Sequence, residues 1–124
     1  MAVTFAGWQL EVERGPDWLF VRPLPPERIE DGGNLADEVW ALMRQHQTHR
    51  VVLEMDQVGY LPSMLIGQLI VLLKRVHQLG GVMRLVGVNS ECQYAIDLCR
   101  LGSPLASYTT RAEAVLGRRP SQPR

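Results

Sequence analysis

Cysteine is scarce in this chain, with Cys92 and Cys99 its two thiols. Read on one helix, they lie about 10 Å apart at 1.5 Å rise per residue, beyond the reach of a disulfide. At i, i+7 they face the same way and are expected to pack as small buried side chains. Net charge is lacking as well: 13 basic residues balance 13 acidic ones. The basic residues are scattered apart from a locally basic end, so the clustered surface that neutralises a phosphate backbone is missing and no nucleic-acid partner is expected. Long apolar runs are absent too. The longest, Met64 to Leu73, contains Gly67 and Gln68 and ends at Lys74-Arg75, well short of the roughly 20 residues of a membrane span. The opening MAVTFAGW has neither the basic start nor the apolar core of a secretory leader. These absences predict a cytoplasmic protein without membrane insertion.

The signatures of catalysis are equally thin. The chain has no Gly-x-Ser-x-Gly elbow, no phosphate-binding glycine loop and no dinucleotide fingerprint. Ser63 and His77 fall about 20 Å apart on one predicted helix, too far to act as nucleophile and base. Glu54 and Asp56 share one side of a predicted strand, a spacing that suits acid–base work, but no third group joins them. His46 and His49 sit at a helix end and loop without a cysteine or carboxylate cluster, which predicts a solvated loop rather than a metal site. His77 falls in the last turn of a long helix, where an imidazole complements the carbonyl end. The residues therefore predict no enzyme, no catalytic residue, no cofactor and no metal.

What the chain has is a core. Hydrophobic residues make up 46% and charged residues 21% of its 124 positions, the balance of an ordinary globular protein. One domain is expected over 1–117, with 118–124 as a disordered tail. Trp8, Leu10 and Val12 alternate with polar residues, Gly15-Pro16-Asp17 turns the chain, and Trp18 to Val21 resumes it, which predicts a hairpin over Gln9 to Val21. A Pro-rich loop from Pro23 to Gly33 follows. Asn34 is expected to cap a helix from Leu35 to about His46, with Trp40 near the edge of its buried face. A strand over Arg50 to Met55, a helix to Leu79 closed by Gly80-Gly81, and a strand over Val82 to Val88 come next. Ser90-Glu91-Cys92-Gln93 reads as a capping box opening a helix to Leu101, closed by Gly102. Leu105 to Thr109 is a short edge strand, and Thr110-Arg111-Ala112-Glu113 opens a last helix ending at Gly117. The fold class is thus α/β: an N-terminal hairpin joined to a mixed, mostly parallel sheet, covered by about four helices.

The stretch Val51 to Leu73, VVLEMDQVGYLPSMLIGQLIVLL, organises the rest. A buried strand passes through a turn into a strongly apolar helix, with Ser63 at the joint. In sheets with parallel strands the crevice at the carboxyl ends of the strands is where partners and ligands meet the fold. A serine here is either a plain N-cap or a place for a phosphate beside the positive end of a helix.

Val51 to Gly67, Lys74-Arg75, Gly80-Gly81, the strand Val82 to Val88, the helix ending Leu101-Gly102 and the late Ala112-Glu113-Ala114 together resemble a STAS domain of the bacterial anti-sigma factor antagonist type. The likeness runs from about Trp8 to Gly117. It implies a regulatory domain whose partner is an anti-sigma factor or serine kinase-like protein. In that family the first serine of an Asp-Ser-Ser-Gly-Leu-Gly segment is phosphorylated. Laid on this chain, Ser63 matches the acceptor and Gly67 the last glycine, while Pro62, Met64 and Leu65 replace aspartate, serine and glycine. Met64 and Leu65 are expected to add bulk to the surface there. The family's early Gly-x-Leu-Asp loop is replaced by Pro23 to Gly33. The implied phosphoacceptor is Ser63 and the implied partner-binding surface is Gly59, Tyr60, Leu61, Pro62, Ser63, Met64 and Gly67. The resemblance also leaves open a homodimer, and an alternative role as an accessory subunit of a lipid transporter or a nucleotide- or small-ligand-binding module.

Overall fold

The computed structural model describes residues 2–5, 7–27 and 33–118. Six strands form one sheet in sequential order: β1 (Ala2–Phe5), β2 (Trp8–Arg14), β3 (Leu19–Leu24), β4 (Arg50–Glu54), β5 (Val82–Val86) and β6 (Ser107–Tyr108). The first three pair antiparallel and the last three join in parallel. Four helices, α1 (Leu35–Gln45), α2 (Ser63–Gln78), α3 (Ser90–Leu98) and α4 (Arg111–Leu116), connect or follow the parallel strands. The expected α/β architecture is present, with one strand more than the sequence pattern indicated: β1 precedes the hairpin, turned by Gly7 at φ 92°.

Period-two alternation sorts the strands' side chains into two layers. Trp8, Leu10, Val12, Leu19, Val21, Val51 and Leu53 point to the face under α1, α2 and α3, where Val39, Leu69, Leu72 and Ile96 complete the main core. The other face holds a smaller cluster of Trp18, Phe20, Val52 and Val86, closed by Ala114 of α4. Burying an apolar side chain of this size contributes roughly 2 kcal/mol, so the larger layer dominates stability.

Several boundaries differ from the sequence pattern for local reasons. β3 continues through Pro23 and Leu24, because its pairing with β4 stops at Val21 and a missing N–H there costs no second ladder bond. Residues 28–32 of the expected Pro-rich loop lie outside the described residues. Asn34 stands at the N-cap of α1 without a side-chain cap bond; Gln68 of α2 reaches across instead and its Oε1 accepts the Ala36 N–H at 3.0 Å. The cap of α3 is Asn89, not Ser90: the Asn89 Oδ1 accepts from the Cys92 N–H at 2.7 Å. That helix stops at Leu98, earlier than Gly102, with Arg100 taking the left-handed turn at φ 58° and Leu101 N–H donating back to Ile96. Cys99 is consequently exposed while Cys92 is buried, so the two thiols do not pack together. Gly80, at φ 70°, closes α2 as expected, and Thr110 caps α4, its oxygen accepting from Glu113 N–H at 3.2 Å. The Arg118 N–H still donates to Glu113 O, and the remainder of the expected tail, 119–124, lies outside the described residues.

Candidate functional site

The joint between β4 and α2 is built from three anchored residues and an exposed rim. Met55 N–H donates to Val86 O at 2.7 Å, continuing the β4–β5 ladder by one bond, and Val58 N–H closes a turn onto Met55 O at 3.0 Å. Met55, Val58 and Leu61 are buried in the main core. From the neighbouring β5–α3 connection, the Asn89 Nδ2 donates to Gly59 O at 3.0 Å, and the Cys92 thiol lies 3.5 Å from Val58 O. Burial pushes that thiol's pKa up, with Glu91 adding to the shift, so at neutral pH it is a proton-bearing group suited to this contact.

With its apolar residues held inward, the chain turns Tyr60, Ser63 and Met64 outward; Tyr60 is 42% and Met64 62% exposed. Pro62, not Ser63, is the N-cap of α2, extended at φ −66° and ψ 158°, and its carbonyl accepts from Leu65 and Ile66 N–H at 2.9 and 3.1 Å. Ser63 is the first residue of the helix. The plain N-cap alternative for this serine does not hold, because the cap position is one residue earlier and no side chain caps the helix. The first turn of α2 also carries no acidic residue, so no carboxylate of that turn offsets the positive end of its dipole.

Of the family-pattern departures, Met64 adds exposed bulk beside Ser63, but Leu65 does not: it is fully buried in the core, because the helix turns that position toward the sheet. Gly67 lies one turn beyond Ser63, and a Cβ there would meet nothing within 4 Å; the same holds for Gly59. Both glycines therefore lower the surface rather than relieve a clash. The structure brings Gly59 through Met64 into one continuous segment, with Gly67 one turn further along α2 and Leu61 facing inward beneath it.

The paired carboxylates lie on the other face of the sheet. Glu54 is buried and receives two bonds from Arg111, Nε at 2.7 Å and Nη2 at 2.8 Å, with Arg22 3.7 Å away. Arg111 also reaches Glu13 at 2.9 Å and lies 4.5 Å above the Phe20 ring. Its pKa is raised, first by the hydrogen bond to Glu54. Asp56 accepts from Arg22 at 3.0 Å and Gln57 at 3.1 Å. Burial pushes the Asp56 carboxyl up, but the bonds from Gln57 and Arg22 and the Arg22 charge outweigh it and hold the group below its usual range. Each carboxylate is thus committed to a guanidinium, and the network clamps the start of α4 to the sheet. Sequence reasoning missed this role because Arg111 and Glu54 are far apart in the chain.

The two histidines differ from the expected solvated loop in one respect. His49 is exposed, but the Nε2 of His46 is buried without a hydrogen-bond partner. No group of three or more metal-ligating side chains is found among the described residues. No helix among them is long and apolar enough to cross a membrane.

The sequence model of the STAS domain matches residues 29–114, and the chain belongs to that family. Solved structures share the fold. TM1081 of Thermotoga maritima superposes with a TM-score of 0.77 at 20% identity, over 87% of this chain and 92% of that one. An anti-sigma-factor antagonist (STAS) domain protein from Planctomyces limnophilus gives 0.71 at 21%, over 87% and 96%. The phosphorylated form of the Bacillus cell fate determinant SpoIIAA gives 0.64 at 11%, over 87% and 97%. At these identities the likeness is one of fold. No curated protein matches the chain.

Proposed function

We propose that this STAS domain is a regulatory protein-binding module of the anti-sigma factor antagonist kind, without catalysis of its own. Its contact surface is Gly59 to Gly67, and phosphorylation of Ser63 switches it. The observation that carries the reading is the exposed Ser63 hydroxyl at the uncapped N-terminus of α2, flanked by the exposed Tyr60 and Met64. A phosphate there adds about two negative charges beside the positive helix end, which the domain tolerates and a bound partner registers. The fold it shares with SpoIIAA in its phosphorylated form supports the same reading. The partner is a serine kinase-like anti-sigma factor, and the domain works in the cytoplasm.

The test is intact mass after incubation with ATP and a serine kinase-like anti-sigma factor. The wild type gains about 80 Da, one phosphoryl group, and Ser63→Ala gains none. A Ser63→Ala protein with the same gain moves the acceptor elsewhere and removes the switch.

A further inference from the structure

The sheet face away from α1, α2 and α3 carries two charge zones, and α4 runs from one to the other. Arg50, Val52 and Glu54 alternate onto that face from β4. Val82 and Arg84 of β5 join them, Val82 paired with Arg50 and Arg84 with Val52. Toward the carboxyl end of β4, Glu54 and Asp56 are held by Arg22 and Arg111. Toward the amino end stand Arg50 and Arg84, with no acid on the strands between them.

Those two arginines share one indole. Their guanidinium carbons lie 5.9 and 5.4 Å from the ring centroid of Trp18, which is buried. Two like charges against one apolar ring favour an anion nearby. The described residues supply none: every ion pair among them engages Arg22, Arg75 or Arg111. Asp17 precedes Trp18 in the hairpin turn, but it is exposed and pairs with neither arginine.

The end of α4 completes the patch. Arg84 Nη1 donates to the carbonyls of Ala114 and Val115 at 2.7 and 3.3 Å. Gly117 holds a left-handed backbone at φ 72°, so close that a Cβ there would lie 2.8 Å from Arg84 Nη2. Val115 is exposed at this end and Leu116 is 66% exposed, with the exposed Arg118 two residues on. The sequence from Ala114 onward holds Arg118, Arg119 and Arg124 and no acid.

The occupant follows from this chemistry. Arg84 and Leu116 line none of the three main cavities among the described residues, so the patch suits an extended surface rather than a small molecule. Its one aromatic ring is buried beneath the guanidinium groups, which removes the exposed aromatic anchor of a protein interface. Exposed aliphatic tips set among arginines match the boundary of an anionic bilayer, where apolar side chains reach the acyl region and guanidinium groups hold the phosphates. We propose that the end of α4 docks this domain on an anionic lipid surface, with Val115 and Leu116 at the headgroup boundary and Arg50, Arg84 and Arg118 on lipid phosphates. Such peripheral contact requires no membrane-spanning helix. It uses the opposite face of the sheet from α2 and leaves the Gly59 to Gly67 rim free.

Flotation of the full chain with vesicles tests the proposal, using equimolar phosphatidylglycerol and phosphatidylcholine against phosphatidylcholine alone. The protein floats with the mixed vesicles and not with the neutral ones. Raising salt from about 0.1 M to about 1 M, which shortens the screening length from about 10 to about 3 Å, releases it. Arg50→Gln and Arg118→Gln each weaken partitioning about fivefold, and Leu116→Ser weakens it as well, with melting temperatures kept as the check on folding. Arg44→Gln, at an exposed arginine of α1 on the other face, partitions as the wild type does. The proposal is overturned by no flotation with the mixed vesicles, by equal flotation with the neutral ones, or by a loss in Arg44→Gln that matches Arg50→Gln. Failure to float together with saturable, Arg50-dependent binding of poly-L-glutamate would overturn it in favour of an acidic protein partner.

Discussion

Asn89 holds two elements at once: its Oδ1 accepts the Cys92 N–H at 2.7 Å, capping α3, while its Nδ2 donates to the Gly59 carbonyl at 3.0 Å. The backbone of the segment proposed as the contact surface is thereby tied to the start of the next helix. Asn89→Ala should cost about 1 kcal/mol, the worth of a lost cap. Asn89→Asp keeps the acceptor and removes the donor. It should retain most of the stability, yet speed amide hydrogen exchange over Gly59 to Ser63. Equal exchange in both variants and the wild type would show that the segment holds itself.

The Arg111 clamp makes a second prediction. Arg111→Ala strips the buried Glu54 of its two shortest bonds and should lower unfolding free energy by about 2 kcal/mol, the range for hydrogen bonds to a charged group. Glu13→Ala removes only an exposed partner and should cost under about 0.5 kcal/mol. Urea denaturation measures both, and equal losses would remove Glu54 from its central place.

Glu38 sits in α1 with 6% of its surface exposed and its Oε2 unpartnered. Burial, with Asp37 adding a little, pushes its carboxyl up to about 6. The folded pKa lies above the unfolded one, so the folded state holds the proton more tightly. The stabilising contribution is full below the unfolded value near 4.5 and is lost as pH rises through about 6. Glu38→Gln should therefore gain about 2 kcal/mol over the wild type at pH 7.5 and nothing at pH 4. A difference that does not change with pH contradicts the assignment.

The cysteines give a quick check of the short α3. Native protein should titrate one fast thiol, Cys99, and a second only after unfolding, since Cys92 is buried and its thiol raised. Two fast thiols would mean that α3 detaches readily from the sheet.

Much of this was legible from local pattern. Alternation through Trp8, Leu10 and Val12, the apolar run after Pro62 and the Gly80-Gly81 stop gave the element order, because burial on a strand or helix face imposes its period on the sequence. What escaped depends on partners distant in the chain. Leu65 read as surface bulk because the family pattern has a glycine there, but the phase of α2 turns it inward. Asn89 displaced Ser90 as the cap because it could also reach Gly59. β1, only four residues long, offers too few positions for a period to show. The Arg111–Glu54 clamp is assembled by the crossovers, and no spacing along the chain announces it.

The central claim is that the rim beginning at Gly59 is a protein-binding surface. It is tested most directly by isothermal titration of a serine kinase-like anti-sigma factor into wild type, Met64→Asp and the distant control Leu98→Asp, both exposed sites. Met64→Asp should weaken binding at least tenfold, about 1.4 kcal/mol, at an unchanged melting temperature, with Leu98→Asp binding as the wild type does. Undiminished affinity in Met64→Asp, with a loss in Leu98→Asp, would place the surface on α3 and contradict the account.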